Sequence, residues 1–483
     1  LARAAPDDIA RRLSRWANVP DPPVRLVAWV WEWVSRQRAW PYLARHVTSA
    51  DLAAFQNVAA DVLGEPDPNF DVPPDERWVV GLRDRRPRHS EVLRRGVAEG
   101  LVMLAAEPAG TEPIYQFDGV RYPYAQAVDD LKTVWKKLKD DLSAASYPTT
   151  YYQSTARGRE LDRMSIVDWI NESVPGGMGS RLGRLLDVAY NIEYGEECSL
   201  QSALNLIYLL GYSGPGQLRI FGPSNEKYHV RGGNDQIGER LAAAVSNRIR
   251  YGAALTAIQR TANGGYSLSF KTGARSEVVA ADRVVLALPF SILRTLDYAQ
   301  AGFQARKVTA IQEQGMGANA KLHLQFRTRL WTALGGNGDT YADTGYQNTW
   351  EVTRGQAGTP GILVNYTGGN VARAAGRTSP QTVLARVEPV LPGLTAQWNG
   401  RWQLQDWPAY PLTRGSYSYW KPGQYTRFVG VEGEPGLTVT ANAGVVSASG
   451  LGTVVRISHA EVANDALILT GLDGNPLQLL VNP

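Results

Sequence analysis

Three stretches of the chain differ in how hydrophobic and polar positions follow one another. Over residues 1–107, apolar residues recur at helical spacing, as in "PPVRLVAWVWEWVSRQRAW". Over residues 112–435, amphipathic helices such as "AVDDLKTVWKKLKDDL" are interleaved with strands such as "AKLHLQF". Residues 436–483 form short β-type runs between Gly, Asn and Asp. The pattern predicts a helical segment, an α+β or α/β body and a small β-rich tail.

The central stretch contains the longest hydrophobic runs. "SLQSALNLIYLLGY" predicts a long, mostly buried helix, and "YSLSFKTG" and "GILVNYTGG" predict strands. "RVVLALPF", residues 283–290, is apolar at almost every position, which is typical of a strand covered on both faces. We therefore expect a buried strand that stops at Pro289. An ordinary core strand without a role in ligand binding explains the pattern equally well.

Composition narrows the function classes. The 483 residues are 44% hydrophobic, and the formal net charge is only +4, with Lys and Arg not gathered into tracts. Nucleic-acid binding is therefore disfavoured. No apolar run approaches the roughly 20 residues of a membrane span. The chain begins at Leu1 without a charged-then-apolar leader, which predicts no signal peptide and suggests a processed or truncated chain. The only cysteine, Cys198, is expected to be a small buried residue.

Two motifs have features that a ligand site would use. Lys321 follows the glycine- and alanine-rich "GMGANA", which allows close approach of a ligand or of another backbone, although a lysine at a strand start is usually solvated. Gly232 and Gly233 precede a predicted helix whose free amides could face a phosphate, although such pairs are commonly turns. Asn234 or Asp235 is the candidate cap of that helix.

Several catalytic and metal-binding motifs are absent from the chain. It contains no GxGxxG, P-loop, HExxH or GxSxG sequence, and "GGMGSRLG" has the wrong spacing for a dinucleotide turn. His323 has no second histidine or carboxylate at metal-ligand spacing. The carboxylates of "YGEEC" and "LLDVAY" have no assignable partner.

Four motifs in order resemble the flavin-dependent amine oxidases, the monoamine oxidase and L-amino acid oxidase superfamily. They are "HVRGGNDQI", "RVVLALPFSILR", "GANAKLHLQF" and "WPAYPLTRGSYSYWKPGQYTRFVG", and they cover about residues 112–435. The resemblance implies FAD-dependent oxidation of an amine or amino acid to an imine, with O2 reduced to hydrogen peroxide.

The resemblance also assigns residues to the flavin ring. Lys321 matches the lysine that holds a water at the flavin N5 edge, and Tyr417 matches one wall of an aromatic cage that faces the ring. Trp407 matches a tryptophan that borders the ring. Ser416 stands where some members carry a cysteine bonded to the flavin, so the resemblance implies non-covalent FAD. Tyr419 and Tyr425 are expected only to pack.

The remaining assignments concern the rest of the cofactor. Leu255 matches the place where the family's backbone meets the FAD adenine, and Gly232 and Gly233 match glycines near the cofactor. Ala287 and Pro289, at the end of the predicted strand, are the other candidate cofactor contacts.

The chain departs from the family at both ends of this match. The opening strand, GxGxxG turn and acidic ribose ligand are absent before residue 112, and the β-type tail replaces the closing FAD-binding segment. The FAD-binding domain is therefore predicted to be incomplete. This favours a fusion of an oxidase body with the helical segment and an unrelated β-rich tail. The alternative to an active oxidase is a non-catalytic relative that no longer binds FAD. A weaker alternative treats the tail as an adhesive module stabilised by calcium. The choice between amine and amino acid, and the oligomeric state, stay open.

Overall fold

The protein is described here from a computed structural model. The structure describes residues 102–105, 107–214, 216–222 and 228–431, together with the backbone of five strands between 438 and 479. The helical segment predicted for 1–107 lies outside the described part except for its last residues, where Val102–Leu104 form a strand paired with Tyr228–Val230, so the helical prediction is wrong there. The chain divides into two compact units, of which the smaller comprises Leu1–Ala106, Pro223–Ala244 and Arg354–Gln356.

The helices have lengths between four and 22 residues. They are α1 (Tyr124–Ala145), α2 (Ala156–Arg163), α3 (Ile166–Ser173), α4 (Arg181–Tyr194), α5 (Ala203–Leu210), α6 (Asp235–Ala244), α7 (Phe290–Leu293), α8 (Ala305–Glu313), α9 (Leu330–Ala333), α10 (Gly369–Arg373), α11 (Pro380–Val387), α12 (Leu394–Gln397) and α13 (Tyr425–Phe428).

The strands are likewise numbered in chain order. They are β1 (Val102–Leu104), β2 (Glu112–Phe117), β3 (Val120–Tyr122), β4 (Tyr228–Val230), β5 (Ala254–Arg260), β6 (Tyr266–Thr272), β7 (Arg275–Ala281), β8 (Gly315–Met316), β9 (Asn319–Phe326), β10 (Gly336–Ala342), β11 (Gln347–Glu351), β12 (Gly361–Gly368), β13 (Trp398–Asp406), β14 (Ser418–Tyr419), β15 (Thr438–Asn442), β16 (Val445–Ser449), β17 (Ile457–Ala463), β18 (Ala466–Gly471) and β19 (Pro476–Leu479).

A seven-stranded sheet in the order β13-β9-β12-β11-β10-β2-β3 is the centre of the larger unit. Its pairs are antiparallel except β2 with β10, which is parallel. Strand β9 shows how its two faces differ: Leu322, Leu324 and Phe326 pack in one hydrophobic core with residues of α11. Lys321 and His323 alternate with them and therefore project from the other face. That second face, called the interior face below, meets the core that contains residues of α1 to α5.

The helices on the interior face begin where the sequence supplies a cap. Ser165 and Asp168 form a capping box at α3. Ser202 accepts a hydrogen bond from the Leu204 N–H and starts α5, so this helix is shorter than "SLQSALNLIYLLGY" predicts. Its buried character is confirmed, and Cys198 is buried as expected.

The prediction of a buried strand over residues 283–290 is wrong. After β7 the chain is extended but belongs to no strand, and Val285 is 91% exposed. Val284 and Leu286 pack against the core of the β5-β6-β7 sheet, whereas Ala287 points to solvent. The physical reason is that no described strand pairs with this backbone, so only alternate side chains find a core.

The described parts of the smaller unit and of the tail consist of short antiparallel strand pairings, with one helix in the smaller unit. In the smaller unit, β1 pairs antiparallel with β4, and a turn through Gly232 and Gly233 leads to α6. In the tail, β15 and β16 form a hairpin, and β17, β18 and β19 form an antiparallel meander, which confirms the β-type prediction for these strands. No helix among the described residues is long and apolar enough to cross a membrane.

A buried carboxylate at the edge of the sheet core provides a first prediction. Glu351 accepts hydrogen bonds from Arg329 Nε at 2.6 Å and from Trp331 Nε1 at 2.8 Å. We expect Arg329→Met to lower the free energy of unfolding by about 3 kcal/mol, because it leaves this buried charge without its cation. Urea denaturation measures the change.

The matched control is Arg327→Met, two residues earlier. Arg327 is exposed and donates only to backbone carbonyl oxygens, those of Ala396 and Trp398. We expect a change within about 0.5 kcal/mol. Equal losses in the two variants would contradict the role assigned to Glu351.

Candidate active site

The end of β9 collects four of the residues that the sequence singled out. Gly317 donates to the Tyr417 carbonyl oxygen at 2.7 Å, and Ser416 N–H donates to the Gly317 carbonyl oxygen at 2.8 Å. Trp407 N–H donates to the Asn319 carbonyl oxygen at 3.3 Å. Lys321 lies two residues further along β9. The segment 407–417 is therefore fastened by its backbone to the strand that carries the lysine.

The side chain of Lys321 lies against two aromatic rings of the interior face. Its Nζ is 5.1 Å from the ring centroid of Trp350 and 5.2 Å from that of Tyr366. The two rings are 5.1 Å apart and tilted by 55°. A cation over such rings is stabilised by their negative faces. The lysine is thus held on one side of the sheet rather than solvated at a strand end.

An aromatic surface lies beside this lysine-bearing strand. Tyr417 is 48% exposed, and Tyr410, which is 40% exposed, makes an edge contact with Trp407 at 5.8 Å. Leu412 is also exposed. Exposed aromatic and aliphatic side chains of this kind are typical of a place where a flat ligand or another surface binds. Trp407, Tyr410, Leu412 and Tyr417 are called the aromatic surface below.

The two tyrosines that were expected only to pack, Tyr419 and Tyr425, are buried, and each also donates its hydroxyl in a hydrogen bond. Tyr425 donates its hydroxyl to Asn205 Oδ1 at 2.9 Å. Burial is the main cause that raises the pKa of the Tyr425 phenol, so it stays a neutral donor.

An ion pair between the buried Glu196 and the exposed Arg373 holds the chain just after this segment, at Tyr419. Glu196, directly after α4, accepts from Arg373 Nη1 and Nη2 at 2.9 and 2.6 Å and from the Tyr419 hydroxyl at 3.0 Å. Burial alone would raise the pKa of Glu196, but the hydrogen bonds from Arg373 and the Glu197 N–H outweigh it and lower the pKa. The carboxylate is therefore a charged anchor for β14.

Asp162 is a second anchor, at the end of α2. It accepts from Tyr425 N–H, Thr426 N–H and the Thr426 hydroxyl at 3.2, 2.9 and 2.8 Å, and from the Ser202 hydroxyl. Burial raises the pKa of Asp162, and these donors oppose that rise. The chain that follows Ser416 and Tyr417 is thus held by two buried carboxylates, at Tyr419 and at Tyr425 and Thr426.

The sequence did not reveal Glu196, Arg373, Trp350 and Tyr366 as members of this site. Glu196 had been noted only as a carboxylate without a partner, and Arg373 lies 177 positions away. Tyr366 falls in the strand predicted from "GILVNYTGG", a pattern equally typical of a plain core, and Trp350 lies in a strand that was not predicted. No local signal distinguishes them.

The other predicted cofactor residues lie elsewhere. Leu255, on β5, packs partly in the core of the small sheet, while Ala287 and Pro289 follow β7 in the extended run. Gly232 and Gly233 belong to the smaller unit. There Asn234 Oδ1 accepts from Val230 N–H, so Asn234 closes the turn and not the helix.

A cavity on the opposite face of the sheet is separate from this site. It is lined by Ala320, Leu322, Asn365, Thr367, Arg386 and Leu404, which project away from Lys321. The chemistry-bearing residues are on the interior face, so we place the candidate site there. Within the described residues, no group of three or more His, Cys, Asp or Glu side chains is arranged to hold a metal ion.

The family to which the chain belongs follows from comparison with known proteins. The family described as flavin containing amine oxidoreductase matches residues 85–444. The chain belongs to the family of flavin containing amine oxidoreductases.

Solved structures of amine oxidases share the fold. A double mutant of putrescine oxidase, redesigned in its cofactor binding, aligns with a TM-score of 0.59 and 18% identity over 72% of this chain and 78% of that one. Cyclohexylamine oxidase from Brevibacterium oxydans IH-35A aligns with a TM-score of 0.57 and 17% identity, over 71% and 77%. These likenesses confirm the predicted mixture of helices and sheet.

A curated relative is nicotine dehydrogenase from Pseudomonas putida. It is 23% identical over 291 residues, which are 60% of this chain and 56% of the relative. The chain therefore spans little more than half the length of this relative.

The residues around Lys321 fit a flavin ring system. The aromatic surface offers flat, partly exposed groups, with Tyr417 48% exposed. Ser416, which donates its hydroxyl to Asn319 Oδ1, carries no group that would bond to the ring. The nucleotide part of a dinucleotide cofactor is typically bound at a βαβ crossover that opens on a glycine-rich turn. Among the described residues, the only parallel pair of strands is β2 with β10, and these strands are not joined by such a crossover.

A second prediction tests the anchor at Glu196. We expect Tyr419→Phe to lower the free energy of unfolding by about 1.5–3 kcal/mol, because it removes a buried hydrogen bond to a carboxylate. Urea denaturation measures it, with Tyr410→Phe as the exposed control, expected within about 0.5 kcal/mol. A loss no larger than that of the control would show that the phenol does not hold β14.

A third prediction concerns His323, on the interior face next to Lys321. Burial, and then the charge of Lys321, lower the pKa of His323. In the unfolded chain the imidazole of His323 takes up a proton near pH 6.5. Just below that pH the unfolded chain therefore binds more protons at this residue than the folded chain does. Stability should therefore fall as the pH drops below about 6.5.

The variant His323→Gln removes this component. We expect its free energy of unfolding to fall less between pH 7.5 and pH 5.5 than that of the parent protein, as measured by urea denaturation at each pH. Parallel curves for the two proteins would contradict the assignment.

Proposed function

We propose that the protein oxidises an amine or amino acid to an imine, with FAD bound non-covalently and O2 reduced to hydrogen peroxide. The observation that carries the proposal is the backbone fastening of the 407–417 segment to β9, which gathers Lys321, Trp407, Ser416 and Tyr417 at one strand end. In the resembling oxidases, residues at these positions surround the reactive part of the flavin.

Trp407, Ser416 and Tyr417 would hold the flavin ring, which would supply the two-electron redox chemistry that accepts a hydride equivalent from the amine α-carbon and transfers the electrons to O2. The amine loses two electrons and two protons and becomes an imine, which water hydrolyses. O2 gains two electrons and two protons and becomes hydrogen peroxide. The chain supplies position and electrostatics.

Each assigned residue has a distinct task. The ring of Tyr417, exposed over 48% of its surface, orients a neutral amine against its face. Trp407, steadied by Tyr410, borders the flavin ring. Lys321, held over Trp350 and Tyr366, positions a water near the reacting centre.

The remaining contacts are proposed for the distal part of the cofactor. Leu255, Gly232 and Gly233, with Ala287 and Pro289, would meet it through backbone and small side chains. The φ of Gly232 is +88° and that of Gly233 is +128°, backbone conformations that glycine adopts readily. Small-molecule amines and O2 are the proposed partners.

A non-catalytic relative is the second candidate. The observation that favours it is the exposure of the run around Val285, which lacks the strand neighbours of a complete parallel sheet among the described residues. Under this alternative the fold persists without bound FAD.

A fourth prediction separates the two candidates. We expect the purified protein to show the visible absorbance of a flavin after incubation with FAD and gel filtration, and to lose it on acid precipitation, since the flavin is not covalently bound. A protein that stays colourless with added FAD would favour the non-catalytic candidate.

The accompanying variant is Lys321→Met. We expect its rate of amine-dependent peroxide formation to fall by about 100-fold, since a positioned proton-transfer group contributes on this scale. Lys139→Met is the matched control, because Lys139 Nζ also lies over an aromatic ring, 5.8 Å from that of Trp135, but on α1. Equal rates in the two variants would remove Lys321 from the reaction.

A further inference from the structure

Asn319, the first residue of β9, holds both ends of the segment 407–417. Its backbone carbonyl oxygen accepts a hydrogen bond from the Trp407 N–H at 3.3 Å, and its Oδ1 accepts one from the Ser416 hydroxyl. Between these two points the segment closes on itself, because the Gly415 N–H donates to the Trp407 carbonyl oxygen at 3.1 Å. A loop of this length whose ends lie close together forms a compact unit on the surface. One residue of the sheet therefore contacts that unit at both sides of its base.

The orientation of the Asn319 amide is determined by two carbonyl oxygens. Its Nδ2 donates to that of Ile192, in α4, at 2.6 Å and to that of Thr367, in β12, at 3.1 Å. The flipped amide would place Oδ1 against both carbonyl oxygens, so chemistry fixes the assignment. Asn319 is fully buried, and its amide connects a helix, a strand and the segment 407–417. Both amide protons are used on the helix and the strand, and Oδ1 is left for Ser416.

The fixed amide determines how Ser416 is held. A hydroxyl group has one proton, and an amide oxygen can only accept, so the Ser416 proton is directed to Asn319. The Ser416 N–H donates to the Gly317 carbonyl oxygen at 2.8 Å, and the Gly317 N–H donates to the Tyr417 carbonyl oxygen at 2.7 Å. Ser416 is thus held through its side chain and its backbone, directly before the half-exposed ring of Tyr417.

Asn365, on β12, shows what a buried asparagine does when it serves the sheet alone. Its Nδ2 donates to the carbonyl oxygens of Tyr346 and Asn348 at 2.7 and 2.9 Å. Both acceptors lie in β11 or directly before it. The partners of Asn319, by contrast, include the segment 407–417, which carries two of the residues assigned to the flavin ring. The two asparagines therefore offer a matched pair for experiment.

We propose that Asn319 is a positioning residue for the flavin ring, and that it holds the segment 407–417 where Trp407 and Tyr417 meet the ring. This inference rests on the proposed function, since it assumes that the ring lies against these two side chains. Asn319 is buried and acts through Ser416, so it need not touch the cofactor. A binding constellation tolerates displacements of only about 0.5 Å, so a segment released at its base binds the ring less well.

The first experiment measures the dissociation constant of FAD and the visible spectrum of the bound flavin in the full chain. Ser416→Ala removes the hydroxyl that Asn319 accepts from, and we expect about tenfold weaker binding and shifted absorbance bands, because a buried acceptor is left unsatisfied. Ser416→Thr keeps a hydroxyl and should restore the affinity to within about threefold. Ser418→Ala, at an exposed position of β14, is the control and should change neither quantity. Parental affinity and spectrum in Ser416→Ala would overturn the proposal.

A double-mutant cycle tests whether the two residues act as one unit. Asn319→Leu should weaken FAD binding at least as much as Ser416→Ala does, and the double variant should bind no more weakly than Asn319→Leu alone. Asn365→Leu removes the same amide from a buried position in the next strand and should keep the parental affinity. Additive losses, or an equal loss in the Asn365 control, would overturn the proposal. If Asn319→Leu does not fold, the serine variants decide it.

Hydrogen–deuterium exchange without FAD gives a readout that does not depend on the cofactor. The N–H groups of Trp407, Gly415 and Ser416 donate to backbone carbonyl oxygens and are therefore protected from exchange. In Asn319→Leu and Ser416→Ala we expect exchange at least about tenfold faster in peptides from 407–417, with the rates in α1 unchanged. Unchanged rates in the segment, or equally faster exchange in α1, would show that Asn319 does not hold this segment in particular.

The outcomes separate this inference from the proposed function. A parent protein that binds FAD and forms peroxide, with the same FAD affinity in Ser416→Ala, keeps the oxidation and removes the role of Asn319. A parent protein that binds no FAD removes the oxidation and the flavin role of Asn319, and faster exchange confined to 407–417 then supports only the part in which Asn319 holds the segment.

Discussion

The close backbone packing between the end of α4 and the start of β9 determines where every other part of the site lies. Ala318 N–H donates to the Gly195 carbonyl oxygen at 2.7 Å. A Cβ on Gly317 would lie 2.0 Å from the Tyr194 carbonyl oxygen, and one on Gly195, whose φ is +73°, would lie 2.3 Å from Asn319 Oδ1. Only glycine permits this approach. Because Gly317 then pairs with Ser416 and Tyr417, the helix end also positions the aromatic surface.

The buried carboxylates of this structure lie where hydrogen bonds compensate for their loss of hydration. Glu196 and Asp162 are buried carboxylates that accept hydrogen bonds from residues of the segment 415–426. Lys321, by contrast, is compensated in part by ring faces. Removing a charge from water is costly unless such partners exist, so these contacts fix the side chains as firmly as the core packing does.

The sequence predicted individual elements where local periodicity was strong. Strand β9 was expected from the alternation of "AKLHLQF", and α1 from its amphipathic pattern, and both are present. The run around Val285 shows the limit, because a continuous apolar stretch predicts burial but cannot tell whether a neighbouring strand is available. Similarly, Glu196 could not be assigned a role before its distant partner Arg373 was known.

The sequence by itself determined the family likeness and the identity of the residues at the end of β9, because four short motifs in order carry them. Tertiary structure alone decided that Lys321 lies over Trp350 and Tyr366. The physical reason is that strand register depends on pairing between residues far apart in the chain. One residue of shift would turn each of these side chains to the opposite face.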